Sequence, residues 1–221
     1  MLPGMPVFPA FQATTEDSPN LHYRSYRVML NLFQHLHKHK NTIMRIIGGR
    51  LKGLRVNPPA NLPVRPTTDL AKEALFNILN NQYDLGNILV LDLFSGTGNI
   101  SLEFASRDAQ QVISVDKHFG CTSFLKQTAS KHGLDNIKTV KADVFKFLEM
   151  ETDQFDLIFA DPPYDLPTIP QIPEIVFNRN LLKPGGLLIV EHPSLKKLDN
   201  HPNFTEQRKY GYSSFSFFEN S

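Results

Sequence analysis

The sequence predicts an α/β fold. A mostly parallel sheet is covered by helices on both faces, a small β-hairpin precedes it, and an antiparallel hairpin closes the chain. Three observations carry this expectation. Between residues 88 and 160 short apolar runs alternate with helical patterns, and apolar strands separated by helices assemble as parallel sheets buried on both sides. The strand-like runs Ile88–Leu93, Gln111–Val115 and Phe155–Ala160 each finish at an acid: Asp92, Asp116 and Asp161. The tail, Thr205 to Phe218, alternates around Tyr210-Gly211-Tyr212-Ser213, the pattern of a hairpin.

Taken in order, the chain opens on residues unlike the remainder. Pro3, Pro6, Pro9 and Pro19 interrupt the first part. Leu21 to Ile43 carries Arg24, Arg27, Lys38 and Lys40 among histidines, the composition of a basic amphipathic helix or a targeting peptide. Glu16 and Asp17 break the acid-poor pattern of a transit peptide, however, and no apolar core with a small-residue cleavage site appears. Residues 1–43 are therefore expected to be a disordered or non-native extension, with Met44 as an alternative start. Met44–Val56 then places Arg45, Arg50, Lys52 and Arg55 among glycines and aliphatic residues with no acid. That suits a basic hairpin, whose cations fit nucleic-acid phosphates or an ordinary protected edge. Leu70–Asn80 has helical periodicity with Leu75, Ile78 and Leu79 on one face and Thr68 or Asp69 as N-cap. Arg65, ahead of it, is a candidate for a phosphate or a carboxylate. Residues 44–84 are expected to precede a main domain at 85–221.

Within that domain, Ser95-Gly96-Thr97-Gly98-Asn99 is a glycine turn opening a helix, Ile100 to Ser106. Phe119–Lys131 and a short helix from Asp143 to Leu148 flank a strand at Ile137–Lys141. Glu174–Leu181 is predicted helical, and Leu187–Glu191 follows Lys183-Pro184-Gly185-Gly186 as a strand. Ligands of open α/β sheets bind outside the carboxyl ends of the strands, where the Gly96/Gly98 turn, Asp116, Asp143 and Asp161 all fall.

These residue types suit a particular ligand set. Glycines let backbone approach a ligand closely, although the spacing G-x-G-x-x-S departs from the dinucleotide fingerprint at Ser101. A carboxylate at the second strand end can hold two ribose hydroxyls, and Asp143, in the next loop, can meet an adenine amine. Asp161-Pro162-Pro163-Tyr164 closes the fourth strand abruptly. Each proline fixes its own φ and lacks an N–H, and each holds the residue before it extended. A stiff turn with a carboxylate, free carbonyls and an aromatic ring is what a flat, amino-bearing base requires. Taken singly, a D-P-P-Y turn also serves as a plain strand terminator, with Tyr164 in the core.

Composition excludes several classes. The 221 residues are 41% hydrophobic, enough for a core, and the formal net charge of +1 means that nucleic-acid affinity must come from local clustering. One cysteine, Cys121, rules out an internal disulfide framework and suits a reducing cytoplasm. Cysteine and histidine spacing offers no metal cluster, and no apolar run approaches the roughly 20 residues of a membrane helix.

Glycine turn, ribose acid, adenine acid and D-P-P-Y in this order resemble the S-adenosylmethionine-dependent methyltransferases that modify amines. With Met44-Arg45-Ile46-Ile47-Gly48-Gly49, Arg65-Pro66-Thr67-Thr68-Asp69, Glu73-Ala74-Leu75-Phe76-Asn77 and Leu91-Asp92-Leu93-Phe94-Ser95-Gly96-Thr97-Gly98, the sequence is similar to the RsmD family of small-subunit ribosomal RNA guanine-N2 methyltransferases. The likeness runs from Met44 nearly to the C-terminus, with Leu70 where the family often has an arginine. It implies a Rossmann-like class I fold with a seven-stranded sheet and a cofactor, S-adenosylmethionine, on Asp92, Phe94, Ser95, Gly96, Thr97, Gly98, Asp116, Lys117, Asp143 and Val144. It implies catalysis by Asp161, Pro162, Pro163 and Tyr164, and RNA contacts from Arg45, Arg50, Lys52, Arg55 and Arg65. The implied substrate is 16S rRNA or an assembling ribosomal particle, of the guanine-966 N2 type, for a cytoplasmic monomer without a metal. Other amino-methyltransferases, of DNA adenine or cytosine or of protein glutamine, and a non-enzymatic rRNA-binding assembly factor are the alternatives.

Overall fold

Seven strands form one sheet in the order β5-β4-β3-β6-β7-β9-β8, seen in a computed structural model that describes residues 43–62 and 69–221. The expectations for residues 1–42 and for Arg65 lie outside the described residues. The elements are β1 (Met44–Arg45), β2 (Arg55–Val56), α1 (Asp69–Gln82), β3 (Leu89–Leu93), α2 (Asn99–Ser106), β4 (Gln111–Asp116) and α3 (Phe119–Lys131). They continue with β5 (Ile137–Lys141), α4 (Val144–Met150), β6 (Phe155–Ala160), α5 (Gln171–Asn178), β7 (Leu182–Pro193), β8 (Phe204–Tyr210) and β9 (Ser213–Glu219). The strands from β5 through β7 pair in parallel, while β9 pairs antiparallel with both β7 and β8. Strand order in the sheet reverses between β3 and β6, which makes their shared carboxyl end the topological switch point.

The buried side chains fall into two layers, one on each face of the sheet. Leu75, Phe76 and Leu79 of α1, Leu102 and Phe104 of α2 and Leu125 of α3 pack with one face; Val144 and Leu148 of α4 and Ile172 and Val176 of α5 pack with the other. The strand residues alternate between the layers: Val90 and Val112 join the first, Leu91 and Ile113 the second. Burial on both faces is why these strands read as nearly continuous apolar runs.

Two elements differ from the sequence expectation. Helix α5 starts at Gln171, before Glu174, and stops at Asn178, with Asn180 left-handed at φ 53°. Strand β7 already begins at Leu182, so Lys183-Pro184-Gly185-Gly186 lies within it as a bulge between the Phe155–Leu182 and Leu157–Leu187 pairs. Gly185 has φ +73°, and a Cβ on Gly186 would come within 2.8 Å of the Lys183 carbonyl. Glycine here permits the bulge without ending the strand.

The N-terminal hairpin is built into the first layer, since Met44, Ile46 and Val56 share its core. The segments expected at 44–84 and 85–221 thus bury apolar surface in common. The hairpin's turn sits on the carboxyl end of α2. Arg50 N–H donates to the Ser106 carbonyl at 2.7 Å, Leu51 N–H donates to Ser106 Oγ at 2.9 Å, and Ser106 Oγ donates to the Gly48 carbonyl at 2.7 Å. A Cβ at Gly49 would lie 1.7 Å from the Ser106 oxygen, so only glycine allows the approach. Below the hairpin, the fully buried Lys72 donates to the Arg45 carbonyl and to Asn99 Oδ1 at 2.9 Å, and lies 3.6 Å from Glu103. Glu103 in turn accepts the Ile47 N–H at 2.9 Å and pairs with Arg107 at 2.9 Å. Burial pulls the Lys72 ammonium below its ordinary range, against the pull of Glu103 and Asp69.

Candidate active site

The glycine loop begins where β3 ends. Phe94 (φ 59°), Gly96 (φ 52°) and Gly98 (φ 84°) are all left-handed, a conformation that is costly for a phenylalanine and recurs at ligand sites. Three bonds hold the loop: Ser95 N–H to the Val115 carbonyl (3.0 Å), Gly98 N–H to the Ser95 carbonyl (2.8 Å) and Gly96 N–H to Asp116 Oδ2 (2.9 Å). A Cβ at Gly98 would meet Leu125 Cδ1 at 2.3 Å, so this glycine also lets α2 pack against α3. Thr97 is buried and its hydroxyl donates to Met44 Sδ at 3.2 Å, tying the loop to β1.

The acids around the loop fall into two kinds. Asp116 ends β4 and Asp143 follows β5, the first half-buried and the second exposed. Asp116 Oδ1 also accepts His118 N–H at 2.7 Å, and Asp143 caps α4 by accepting Phe145 N–H at 3.1 Å and Lys146 N–H at 3.2 Å. Their neighbours differ, Lys117 being exposed and Val144 buried. Asp92 is the other kind. It is 1% exposed and accepts the Ser101 hydroxyl, which itself accepts a bond from Ser114 Oγ at 2.7 Å. Burial pushes its carboxyl up to about 7; the bonds from the Ser101 hydroxyl and main chain oppose this, and Asp116 adds to it. The sequence reading places Asp92 among the cofactor contacts. Its enclosure instead makes it a brace under the first turn of α2, beneath the loop.

The D-P-P-Y turn lies beside this loop. Leu93 and Ala160 are register partners, and Asp161 N–H donates to the Leu93 carbonyl at 3.3 Å. Asp161 is half-buried, Pro162 buried and Pro163 exposed. The Tyr164 ring does not present an open face on which a base could stack. It is only 6% exposed, and its hydroxyl donates to Glu191 Oε1 at 2.8 Å. Glu191, 3% exposed near the carboxyl end of β7, is a residue that sequence reasoning misses. A signal exists, since it ends an apolar strand with an acid as Asp92 and Asp116 do. Across the loop, Phe94 and Phe145 meet edge to face with centroids 6.2 Å apart.

The expected RNA-contacting cations are divided. Arg45 stands opposite Arg55 in the hairpin register, and it is occupied: Nε lies 3.1 Å from Asp69 and Nη2 2.7 Å from Glu73. That pairing relieves the like-charge contact across the strands and makes Arg45 a hairpin anchor. Arg50 reaches the Gly133 carbonyl (2.5 Å), while Lys52 and Arg55 are exposed.

The residues fit a nucleoside cofactor on one further observation. Ser95 Oγ is enclosed in the loop without a hydrogen-bond partner; a buried hydroxyl left so is rare and marks a place for a ligand atom. Left-handed backbone beside it and carboxylates at two neighbouring strand ends complete a cradle of the kind found at switch points.

Sheet order, switch-point loop and closing antiparallel strands define the class I S-adenosylmethionine-dependent methyltransferase fold. The chain belongs to the family described as Conserved hypothetical protein 95, the RsmD family, whose model matches residues 44–219. It is 30% identical over 167 residues to the Ribosomal RNA small subunit methyltransferase D of Buchnera aphidicola subsp. Baizongia pistaciae, covering 75% of this chain and 85% of that one. A hypothetical protein from a Thermus species superposes with a TM-score of 0.69 at 28% identity, over 79% of this chain and 98% of that one. The 16S rRNA N2 G1207 methyltransferase RsmC of T. thermophilus, solved with AdoMet and guanosine, superposes at 0.65 with 20% identity, over 82% of this chain and 50% of its own.

Proposed function

We propose that the chain transfers a methyl group from S-adenosylmethionine to the exocyclic N2 amine of a guanine in small-subunit ribosomal RNA, of the guanine-966 type. It would act in the cytoplasm as a monomer on the RNA or on an assembling ribosomal particle. The observation that carries this reading is the bond from Asp161 N–H to the Leu93 carbonyl, which sets the D-P-P-Y turn one residue from the start of the glycine loop. The names of the family's relatives supply the RNA class.

The cofactor supplies an activated methyl group when bound. Asp116 and Asp143 would hold its ribose and adenine, with Ser95 Oγ as a further partner, while Asp92 keeps the first turn of α2 in place under the loop. At the turn, the Asp161 carboxylate and the Pro162 carbonyl accept hydrogen bonds from the two protons of the target amine. That fixes the nitrogen and directs its lone pair away from the acceptors, an orientation effect. One amine proton leaves as the new bond forms, taken by Asp161 or by water. Tyr164, held by Glu191, keeps the turn from moving.

The test compares Asp161→Ala and Asp161→Asn with the wild type in single turnovers on undermodified small subunits at saturating cofactor, with the labelled base mapped. We expect Ala to abolish transfer and leave cofactor affinity unchanged. Activity retained in Asn means that positioning dominates; an Asn variant as inactive as Ala means that the carboxylate takes the proton. Wild-type rates in Ala would reduce the turn to a strand terminator, and a labelled base other than guanine would overturn the substrate assignment.

A further inference from the structure

A second concavity lies away from the strand ends, between the hairpin and α3. It encloses about 330 Å³ and is lined by Arg55 and Asn57 on the hairpin side and by Phe124, Gln127, Lys131 and His132 on the α3 side. Among the described residues that line it, none is acidic. Arg50 lies at the edge of the cleft, its guanidinium bonded to the Gly133 carbonyl, directly after His132, and 4.0 Å from the Asp108 carboxylate, which offsets part of its charge. Arg55, Gln127 and Lys131 are exposed, and Phe124 is half-buried. The cleft thus has cations and amides at its lips and an aromatic edge within.

One wall runs on towards the cofactor side. Beyond Asn57 the chain reaches Leu62, which packs on Gly120, where a Cβ would lie 2.8 Å from Leu62 Cδ2. Gly120 is in the first turn of α3, two residues past His118, whose N–H is held by Asp116. The cleft itself lies beside the carboxyl half of α3, from Phe124 to His132, and the Leu62–Gly120 contact continues its hairpin-side wall towards the Asp116 loop.

From this placement we infer that the cleft binds the backbone of an RNA strand flanking the target, with Lys131 and Arg55 on phosphates and Gln127 and Asn57 on sugar or phosphate oxygens. The inference rests on the RNA-methylating reading above, and it adds to it contacts on α3 that neither the hairpin nor the strand ends supply. Charge decides the occupant. A polyanion with phosphates at regular spacing pairs with cations on both lips at once, whereas the net charge of +1 gives the whole chain no general attraction for one. Phe124 can pack against a sugar or base at the floor.

The experiment uses the full chain carrying Lys131→Ala or Gln127→Ala, singly and together, with Lys131→Arg as a charge-keeping control. A fluorescein-labelled single-stranded RNA is titrated at several salt concentrations, and S-adenosylhomocysteine affinity is measured by calorimetry on the same preparations. We expect the double variant to bind RNA about tenfold more weakly and to flatten the log–log salt slope by about 0.7, the share of one phosphate that Lys131 no longer neutralises. Lys131→Arg should behave as wild type, and cofactor affinity should not change in any variant. RNA binding and salt slope unaltered in the double variant would overturn the cleft assignment, as would a weakening matched by an equal fall in cofactor affinity. Wild-type protein that neither binds the RNA nor methylates undermodified small subunits would instead overturn the functional reading itself.

Discussion

Replacing Asp92 by asparagine separates its structural role from its titration. Asp92 is almost wholly enclosed, and burial raises its carboxyl from 3.8 to about 7 against the Ser101 bonds. Because the folded-state pKa lies above the unfolded one, the folded protein holds this proton where the unfolded chain has lost it. The associated stability is fully present below about pH 4 and is lost as pH rises through about 7. Moving the carboxyl from 3.8 to about 7 corresponds to a total loss of roughly 4 kcal/mol. Roughly 2–3 kcal/mol of that is lost between pH 5 and pH 8. Asparagine does not titrate, so its stability should lack this component, whatever constant cost the amide brings against Ser101. Urea unfolding of both proteins at intervals from pH 5 to pH 8 reads the difference directly. It should move in favour of asparagine by roughly 2–3 kcal/mol across that range, with cofactor affinity at neutral pH changed by no more than a few-fold. A wild type–variant difference that stays flat with pH would refute the claim that Asp92 titrates near neutrality. A collapse of cofactor affinity in a folded asparagine variant would return Asp92 to direct contact with the ligand.

Three further outcomes follow from the same geometry. Asp116→Ala should lower cofactor affinity at least about tenfold by calorimetry, since a hydrogen bond to a charged group is worth about 1.5–3 kcal/mol; it also frees Gly96 N–H and His118 N–H. Tyr164→Phe keeps the ring and removes the bond to Glu191, so single-turnover rates should fall while cofactor affinity holds; unchanged rates would assign Tyr164 to packing alone. Gly98→Ala should destabilise the fold by about 2–5 kcal/mol in urea unfolding, combining a left-handed alanine with a clash against Leu125.

The sheet is legible in the sequence because its strands are buried on both faces and so stand out as apolar runs between helical patterns. The glycine loop is legible for a different reason: Gly96 and Gly98 mark positive φ, and an acid follows at each neighbouring strand end. What stays hidden is the set of partnerships between distant segments. Nothing local tells that Lys72 is fully buried against Glu103, or that Glu103 takes the Ile47 amide. Periodicity assigns such residues to helix faces and is silent on what those faces meet. Arg45 misleads for the same reason. Its basic neighbours suggest a solvent-facing cation, and only the fold brings Asp69 and Glu73 to it. At Tyr164 the proline turn is evident, but the burial of the ring depends on β7, whose bulge lies well downstream in the sequence.

Helix α2 connects the two halves of this design. Its amino end opens from Gly98, with Asp92 bonded to Ser101, and its carboxyl end carries the hairpin turn through Ser106. Between them Glu103 takes the Ile47 amide, while Lys72 bridges the Arg45 carbonyl and Asn99. With only eight residues and tightly packed sides, α2 has little room to bend, since helix kinks need proline, a bulge or an inserted group. The hairpin and the cofactor loop are therefore fixed to one rigid piece. A hairpin held this way cannot shift without disturbing the loop. That is a reason for the interface to be buried and ionic: an unpaired charge at Lys72 or Glu103 would be costly, so the arrangement in which both are satisfied is strongly preferred over any slid register.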